Sequence, residues 1–270
     1  MSPETRRTAY IALIVALGGF LMGFDASVIA GVVGSIEVEF ALTKIQLGWS
    51  VSSLSLTATL GMLMSGPLSD RYGRRPVLMV AAVLFAISAV TSALAPDFLS
   101  FVLARMLGGF GVGAALIVAP MYIAEIAPPE QRGRMVSINQ LNIVIGISAA
   151  FFSNYLILAL GESGAPWTES IGLGEQGWRW MLAVEALPAI AYFLALFGVP
   201  ESPRWLVMQG RDDAAKAVVT RLRGPAQAEA LLVQVHESLA AEEELGQVGF
   251  RALLHPSLSL IHISEPTRLC

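Results

Sequence analysis

The chain has little of what metal centres, disulfides and solvated surfaces are made from. One of its 270 residues is cysteine, and Cys270 is the last, so neither an internal disulfide nor a thiolate metal cluster can form. The histidines His236, His255 and His262 all follow the apolar part of the chain and leave that part without an imidazole ligand. Charged residues make up 14%, where soluble domains carry about 25%. A net charge of -4 and a pI of about 5.4 give no basic surface for nucleic acid. No nucleophile–base pair or ligand set lies within the apolar part, so no enzyme chemistry, metal or cofactor is expected.

What is abundant is apolar: 55% hydrophobic residues and a mean hydropathy of +0.65. Six long apolar stretches, at residues 8–34, 47–68, 76–94, 98–123, 135–160 and 180–199, each approach the ~20 residues that cross a ~30 Å hydrocarbon core. Lipid offers the backbone no hydrogen-bond partners, so such stretches must be helices. The expected fold is all-α, a polytopic membrane protein. All of the 17 Lys and Arg except Lys44, Arg105 and Arg179 fall on one side of that arrangement. By the positive-inside rule, both chain ends are expected in the cytoplasm, with the protein multi-pass in the cell membrane. The first stretch follows Arg6 and Arg7 but is too long for a signal peptide and lacks a cleavage site.

Beyond Val199 the character changes. Residues 211–244 alternate apolar and charged residues at helical spacing, with Ala217, Val218, Leu222 and then Leu231, Val235, Leu239 marking the apolar faces of two short surface helices broken at Gly224-Pro225. Glu242-Glu243-Glu244 reads as a solvated face. The expected organisation is a six-helix membrane domain over 1–200, a cytoplasmic helical region over 201–257 and an aberrant tail over 258–270.

Leu17-Gly18-Gly19-Phe20 in the first stretch recurs as Leu107-Gly108-Gly109-Phe110 in the fourth, each followed by more small residues. Small residues let helix backbones approach closely in lipid. The two stretches run in opposite directions, so the echo predicts an inverted 3+3 repeat.

Three ionisable residues interrupt the apolar stretches: Asp25, Arg105 and Glu185. An isolated charge near the bilayer centre costs several kcal/mol and needs a partner or water. Counted from the ends of their stretches at ~1.5 Å per residue, all three fall in one layer roughly 8–14 Å below the outer surface. An acid–base–acid cluster there suits proton coupling: Asp25 binds the proton when a conformational change separates it from Arg105, and Glu185 tunes the pair. A permanent ion pair tying the first and fourth helices is the alternative.

The loop Gly66-Pro67-Leu68-Ser69-Asp70-Arg71-Tyr72-Gly73-Arg74-Arg75-Pro76 resembles the signature between the second and third spans of the major facilitator superfamily. More specific are Gly23-Phe24-Asp25, Arg105 with Gly108-Gly109-Phe110-Gly111-Val112-Gly113, Pro120-Met121-Tyr122-Ile123-Ala124-Glu125-Ile126-Ala127-Pro128, Arg132-Gly133, Asn139-Gln140-Leu141, Gly177-Trp178-Arg179-Trp180-Met181 and Pro200-Glu201-Ser202-Pro203-Arg204-Trp205-Leu206. In this order they are similar to the sugar porter family. The resemblance implies the amino-terminal half of a twelve-helix carrier that works by alternating access. It implies a cytoplasmic charge network of Asp70, Arg71, Arg74, Glu125, Arg132, Glu201 and Arg204 that locks the outward-facing state. It also implies that Gln140 meets sugar hydroxyls, for which a neutral amide offers donors and an acceptor. Pentose–proton symporters of the family carry a second glutamine where this chain has Ile147, which favours a hexose, while polyols stay open.

The resemblance implies sugar:proton symport by the parent protein, with sugar, proton, lipid bilayer and a missing carboxy-terminal half as partners. A facilitative hexose or polyol carrier, a drug or metabolite efflux carrier and a non-transporting sugar sensor are the alternatives. Residues 248–257 resemble the approach to a seventh span. Residues 258–270, with Pro266, resemble no span and are expected to be translated sequencing-adapter read-through.

Overall fold

The computed structural model describes residues 3–128 and 131–244. Among these residues the architecture is all helix: α1 (Pro3–Glu39), α2 (Lys44–Tyr72), α3 (Arg74–Ala93), α4 (Phe98–Ile126), α5 (Arg132–Gly161), α6 (Pro166–Ser170), α7 (Gly177–Ala183), α8 (Ala186–Leu196), α9 (Pro203–Met208), α10 (Asp212–Arg223) and α11 (Pro225–Glu244). Six helical segments, α1 to α5 and the α7–α8 pair, are long and apolar enough to cross a membrane. They alternate in direction, which gives the bundle an N-terminal face and a far face. Residues 248–270, including His255, His262 and Cys270, lie outside the described residues.

Local chemistry sets the boundaries. Thr43 caps α2 in a reciprocal box with Gln46, and Asp97 does the same for α4 with Ser100. Gly73 joins α2 to α3 at φ +102°, a conformation costly for any residue with a Cβ. The sixth span is not the continuous helix expected over 180–199. It breaks at Val184–Glu185 because Pro188, in the first turn of α8, lacks an N–H and its ring clashes with the Val184 carbonyl. Around the break, Glu185 and Leu187 bond three residues back, to Leu182 O at 3.2 Å and Val184 O at 3.1 Å. The first span also differs. Helix α1 continues past Gly34 to Glu39, with Val38 82% exposed, so Asp25 lies deeper from the helix end than a span ending at Gly34 predicts.

Two glycine-faced helix pairs build the bundle. In the α1–α5 pair, a Cβ at Gly23 would lie 2.9 Å from the Ile143 carbonyl carbon, and one at Gly146 would lie 2.9 Å from the Phe20 carbonyl carbon. In the α2–α4 pair, a Cβ at Gly113 would lie 2.6 Å from Met62 N, and one at Gly61 would lie 2.9 Å from Phe110 O. Phe20 and Phe110 hold the same place in the repeated Leu-Gly-Gly-Phe, so the echo is a contact surface used twice in inverted order. Helices α1 and α4 are central, with 67% and 61% of their spanning windows buried, against 33% for α2 and 28% for α5. Leu56, Leu60, Leu63 and Met64 on α2 and Leu141, Val144, Ile145 and Phe152 on α5 are exposed.

On the N-terminal face, α9 to α11 form a small helical layer. Its buried residues on α10 are Ala215, Val219 and Leu222. Ala217, expected on the apolar face, is exposed, because the buried stripe of α10 runs through 215, 219 and 222, with Ala215 and Val218 in the cluster shared with α9 and α11. Val235 and Leu239 of α11 pack as expected.

Candidate functional site

The most buried charges lie between α1 and α4. Asp25 and Arg105 are 1% and 2% exposed and form an ion pair through Oδ1 and a guanidinium NH1, and Arg105 NH2 also donates to the Asp25 carbonyl at 3.1 Å. Two contacts from one planar guanidinium fix the orientation of α1 against α4 at this level. Glu185, in the short turn between α7 and α8, is as buried, 2% exposed. Asp25 Oδ2, Arg105 Nε and Glu185 Oε1 are buried without hydrogen-bond partners. Glu185 therefore stands beside the pair without bonding to it, and the direct contact is Asp25 with Arg105. In low dielectric, removing one member of such a pair leaves an uncompensated charge, a cost of about 3–5 kcal/mol.

The N-terminal face carries a second charged assembly. Arg74, 3% exposed, donates Nε and NH2 to Glu125 at 2.9–3.2 Å, pairs with Asp70 at 3.0 Å and donates to Ser69 O at 3.1 Å. Among the described residues, the bonds of Glu201 are to backbone N–H groups. Its carboxylate caps the start of α3, accepting from the backbone N–H groups of Arg74 at 3.0 Å, Arg75 at 3.3 Å and Ser202 at 2.8 Å. A helix N-terminus is where unpaired N–H groups and the positive dipole end favour a carboxylate. Burial pushes the Glu201 carboxyl above its ordinary range, and the three N–H groups and the Arg74 charge only partly offset that.

Arg132 donates to Ala124 O at 3.1 Å at the end of α4, and Arg71 lies over the Tyr72 ring at 5.2 Å. Arg204, with Asp70, Arg74, Glu125 and Arg132, lines a cavity of about 610 Å³ under α11. Several donor side chains here serve helix ends: Arg75 donates to the Leu196 and Phe197 carbonyls, Arg7 and Thr8 donate to those of Arg221 and Leu222, and Arg223 donates to that of Ile126. Each meets terminal carbonyls that lack partners within their own helix.

Gln140 is exposed on α5, on the poorly covered side of the bundle, and Ile147 is half-buried against Gly23 of α1. The structure thus groups Asp25, Arg105 and Glu185, groups Asp70, Arg74, Glu125 and Glu201, and leaves Gln140 apart on an open face.

Two residues to which the sequence reading gave no role tie helices together, Arg179 at the far face and Tyr192 in the half of the bundle nearer the N-terminal face. Arg179 donates to Ala93 O at 2.8 Å and Ala95 O at 2.9 Å, pairs with Glu39 at 3.6 Å and lies 4.3 Å over Trp178. Tyr192 is fully buried and donates to Val15 O at 3.3 Å. An arginine at the start of a span and a tyrosine within one were the available signals.

Comparison with known proteins adds three findings. The family model described as Sugar (and other) transporter matches residues 11–259. The arabinose-proton symporter of Bacillus subtilis is 42% identical over 233 residues, covering 86% of this chain and 49% of its own length, and the glucose transport protein of Synechocystis is 42% identical over 228 residues, covering 83% and 48%. A solved structure of the major facilitator superfamily proton:xylose symporter bound to 6-bromo-6-deoxy-D-glucose superimposes with a TM-score of 0.82 at 35% identity, covering 93% of this chain and 56% of that one. The chain spans about half the length of the curated relatives it matches.

Proposed function

The chain belongs to the Sugar (and other) transporter family, and on that premise we propose that it is the amino-terminal half of a sugar:proton symporter working by alternating access. The observation that carries the reading is the Asp25–Arg105 pair, buried between the two central helices with Glu185 beside it. Proteins need no buried ion pair for stability, since well-packed apolar residues usually do as well. A charge retained inside a membrane span therefore points to function.

Asp25 is ionised while Arg105 holds it. When the conformational change draws Arg105 toward Glu185, Asp25 takes up a proton, and neutral Asp25 with the Arg105–Glu185 pair carries no net charge for the return step. Gln140 meets sugar hydroxyls from the open α5 face, and Ile147 makes the neighbouring wall aliphatic, which fits a hexose better than a pentose. The exposed sides of α2 and α5 are where the second half packs. The assembly of Asp70, Arg71, Arg74, Glu125, Arg132, Glu201 and Arg204 closes against that half on the N-terminal face, which is cytoplasmic. Residues 1–200 are the membrane domain and 201–257 the cytoplasmic region, and both chain ends face the cytoplasm.

The test is radiolabelled uptake of glucose, xylose, galactose and arabinose into proteoliposomes containing the full-length transporter, with and without an inward pH gradient. Gradient-enhanced uptake of one of these sugars is expected. Uptake that ignores the gradient contradicts symport, and no uptake of any sugar contradicts carbohydrate transport.

A further inference from the structure

The third helix of each repeat meets a central helix at an equivalent point, and the two points are filled differently. At Gly18 of α1, a Cβ would lie 2.9 Å from Tyr192 Oη of α8, so a bonded phenol closes that position. At the matching Gly108 of α4, a Cβ would lie 2.5 Å from Ser88 Oγ of α3 and 3.2 Å from Asp25 Oδ2. There the glycine brings α4 against the serine hydroxyl, with the carboxylate oxygen that Arg105 does not use beside the same point.

Ser92 follows Ser88 by one turn on the same face of α3, ~6 Å nearer the far end of a helix that stops at Ala93. Ser92 is fully buried and its Oγ has no partner, whereas the adjacent Thr91 satisfies its hydroxyl on Ile87 O at 2.6 Å. Membrane hydroxyls ordinarily bond back to their own helix, as Ser50, Ser65 and Ser69 do on α2. Unpaired Ser92 Oγ, Asp25 Oδ2, Glu185 Oε1 and Arg105 Nε are the kind of groups that ordered water bridges.

We propose that Ser92 and Ser88 form a hydroxyl relay along α3 that delivers protons from the far face to Asp25 Oδ2. A hydronium ion at the far end gives its proton to the chain. Each hydroxyl accepts one proton and passes its own onward through intervening water. The carboxylate becomes a carboxylic acid, the hydronium becomes water, and both serines end neutral. The charged groups facing Asp25 are Arg105 from α4 and Glu185 from the α7–α8 segment, and Ser88 of α3 meets Gly108 beside Asp25 Oδ2. Helix α3 packs on α4, α7 and α8, while Gln140 is exposed on α5, so proton and sugar reach the protein by separate faces.

The relay rests on the proton-coupling reading of Asp25, and the experiment separates the two. In proteoliposomes with the full-length transporter, gradient-driven sugar uptake and sugar counterflow are measured for wild type, Asp25→Asn, Ser88→Ala, Ser92→Ala and Ser88→Thr. Ser88→Ala is expected to lower gradient-driven uptake about tenfold more than counterflow, roughly the worth of one hydrogen bond to a charged group. Ser92→Ala follows in the same direction, and Ser88→Thr restores the rate. If Asp25→Asn abolishes gradient-driven uptake while both alanine variants match wild type, or lose both activities equally, the relay is wrong and the coupling reading stands. If Asp25→Asn also matches wild type, the coupling reading falls and the relay with it.

Discussion

The two three-helix repeats share one contact and diverge in what they place behind it. Gly23 and Gly146 bring α1 onto α5, and Gly113 and Gly61 bring α4 onto α2, at matching positions along the repeated Leu-Gly-Gly-Phe. The charges do not follow the repeat. Asp25 corresponds to Ala115 and Arg105 to Val15, so each half of the ion pair has an apolar counterpart in the other repeat. The third helices diverge too, α3 running straight with Ser88 and Ser92 while its counterpart is broken at Glu185 by Pro188. The shared surface makes a scaffold, and the asymmetric residues are the ones on which the proposed coupling rests.

The comparison is broken most severely at the ion pair. Arg105→Ala leaves Asp25 buried without its cation and is expected to cost about 3–5 kcal/mol, read as a large fall in the thermal midpoint in detergent. Val15→Ala, at the matching place in the other repeat, removes only two methyl groups, and its loss should be about 1–2 kcal/mol. Equal losses at the two positions would mean that the pair has no special standing.

The glycine surfaces come next. Gly23→Ala and Gly113→Ala each force a methyl against backbone, and each should cost about 1–3 kcal/mol, with similar values if the repeats share one contact. Gly48→Ala, which faces open space, should be neutral. A smaller effect is expected of Tyr192→Phe, which removes the bond to Val15 O and should cost about 1 kcal/mol in the same assay.

The smallest effect concerns pH. The Glu201 carboxyl is held above its ordinary range, so its protonated form is favoured in the folded state. Its contribution to stability is present in acid and is lost as pH rises through the raised value. Glu201→Gln should therefore flatten the part of the stability–pH profile that lies above the ordinary glutamate range, without lowering stability at neutral pH. A profile identical to wild type would contradict this.

Much of the scaffold was legible in the sequence because lipid imposes length and composition on each span directly. The six spans, the inverted repeat and the break at Gly224-Pro225 follow from apolar runs, a four-residue echo and turn chemistry. Helix ends were less legible, since α1 continues as helix past the apolar run to Glu39. Pro188 was visible, but apolar composition alone hid the break it makes. Among candidate site residues, Asp25 and Arg105 were conspicuous because charge is rare in a span. Arg179 and the α3 serines were not, because the contacts of Arg179 and the proposed role of the serines depend on which carbonyl or carboxylate another helix brings to them. The resemblance placed Glu201 in a charge network, and its position as a cap for α3 depends on the reversal at Gly73.

The most direct measurement of the central claim compares two activities of the Asp25→Asn variant of the full-length transporter. These are sugar accumulation driven by a proton gradient and sugar counterflow without one, in the same proteoliposomes. Accumulation should collapse while counterflow persists. Accumulation at the wild-type level would contradict the assignment of Asp25 as the coupling group.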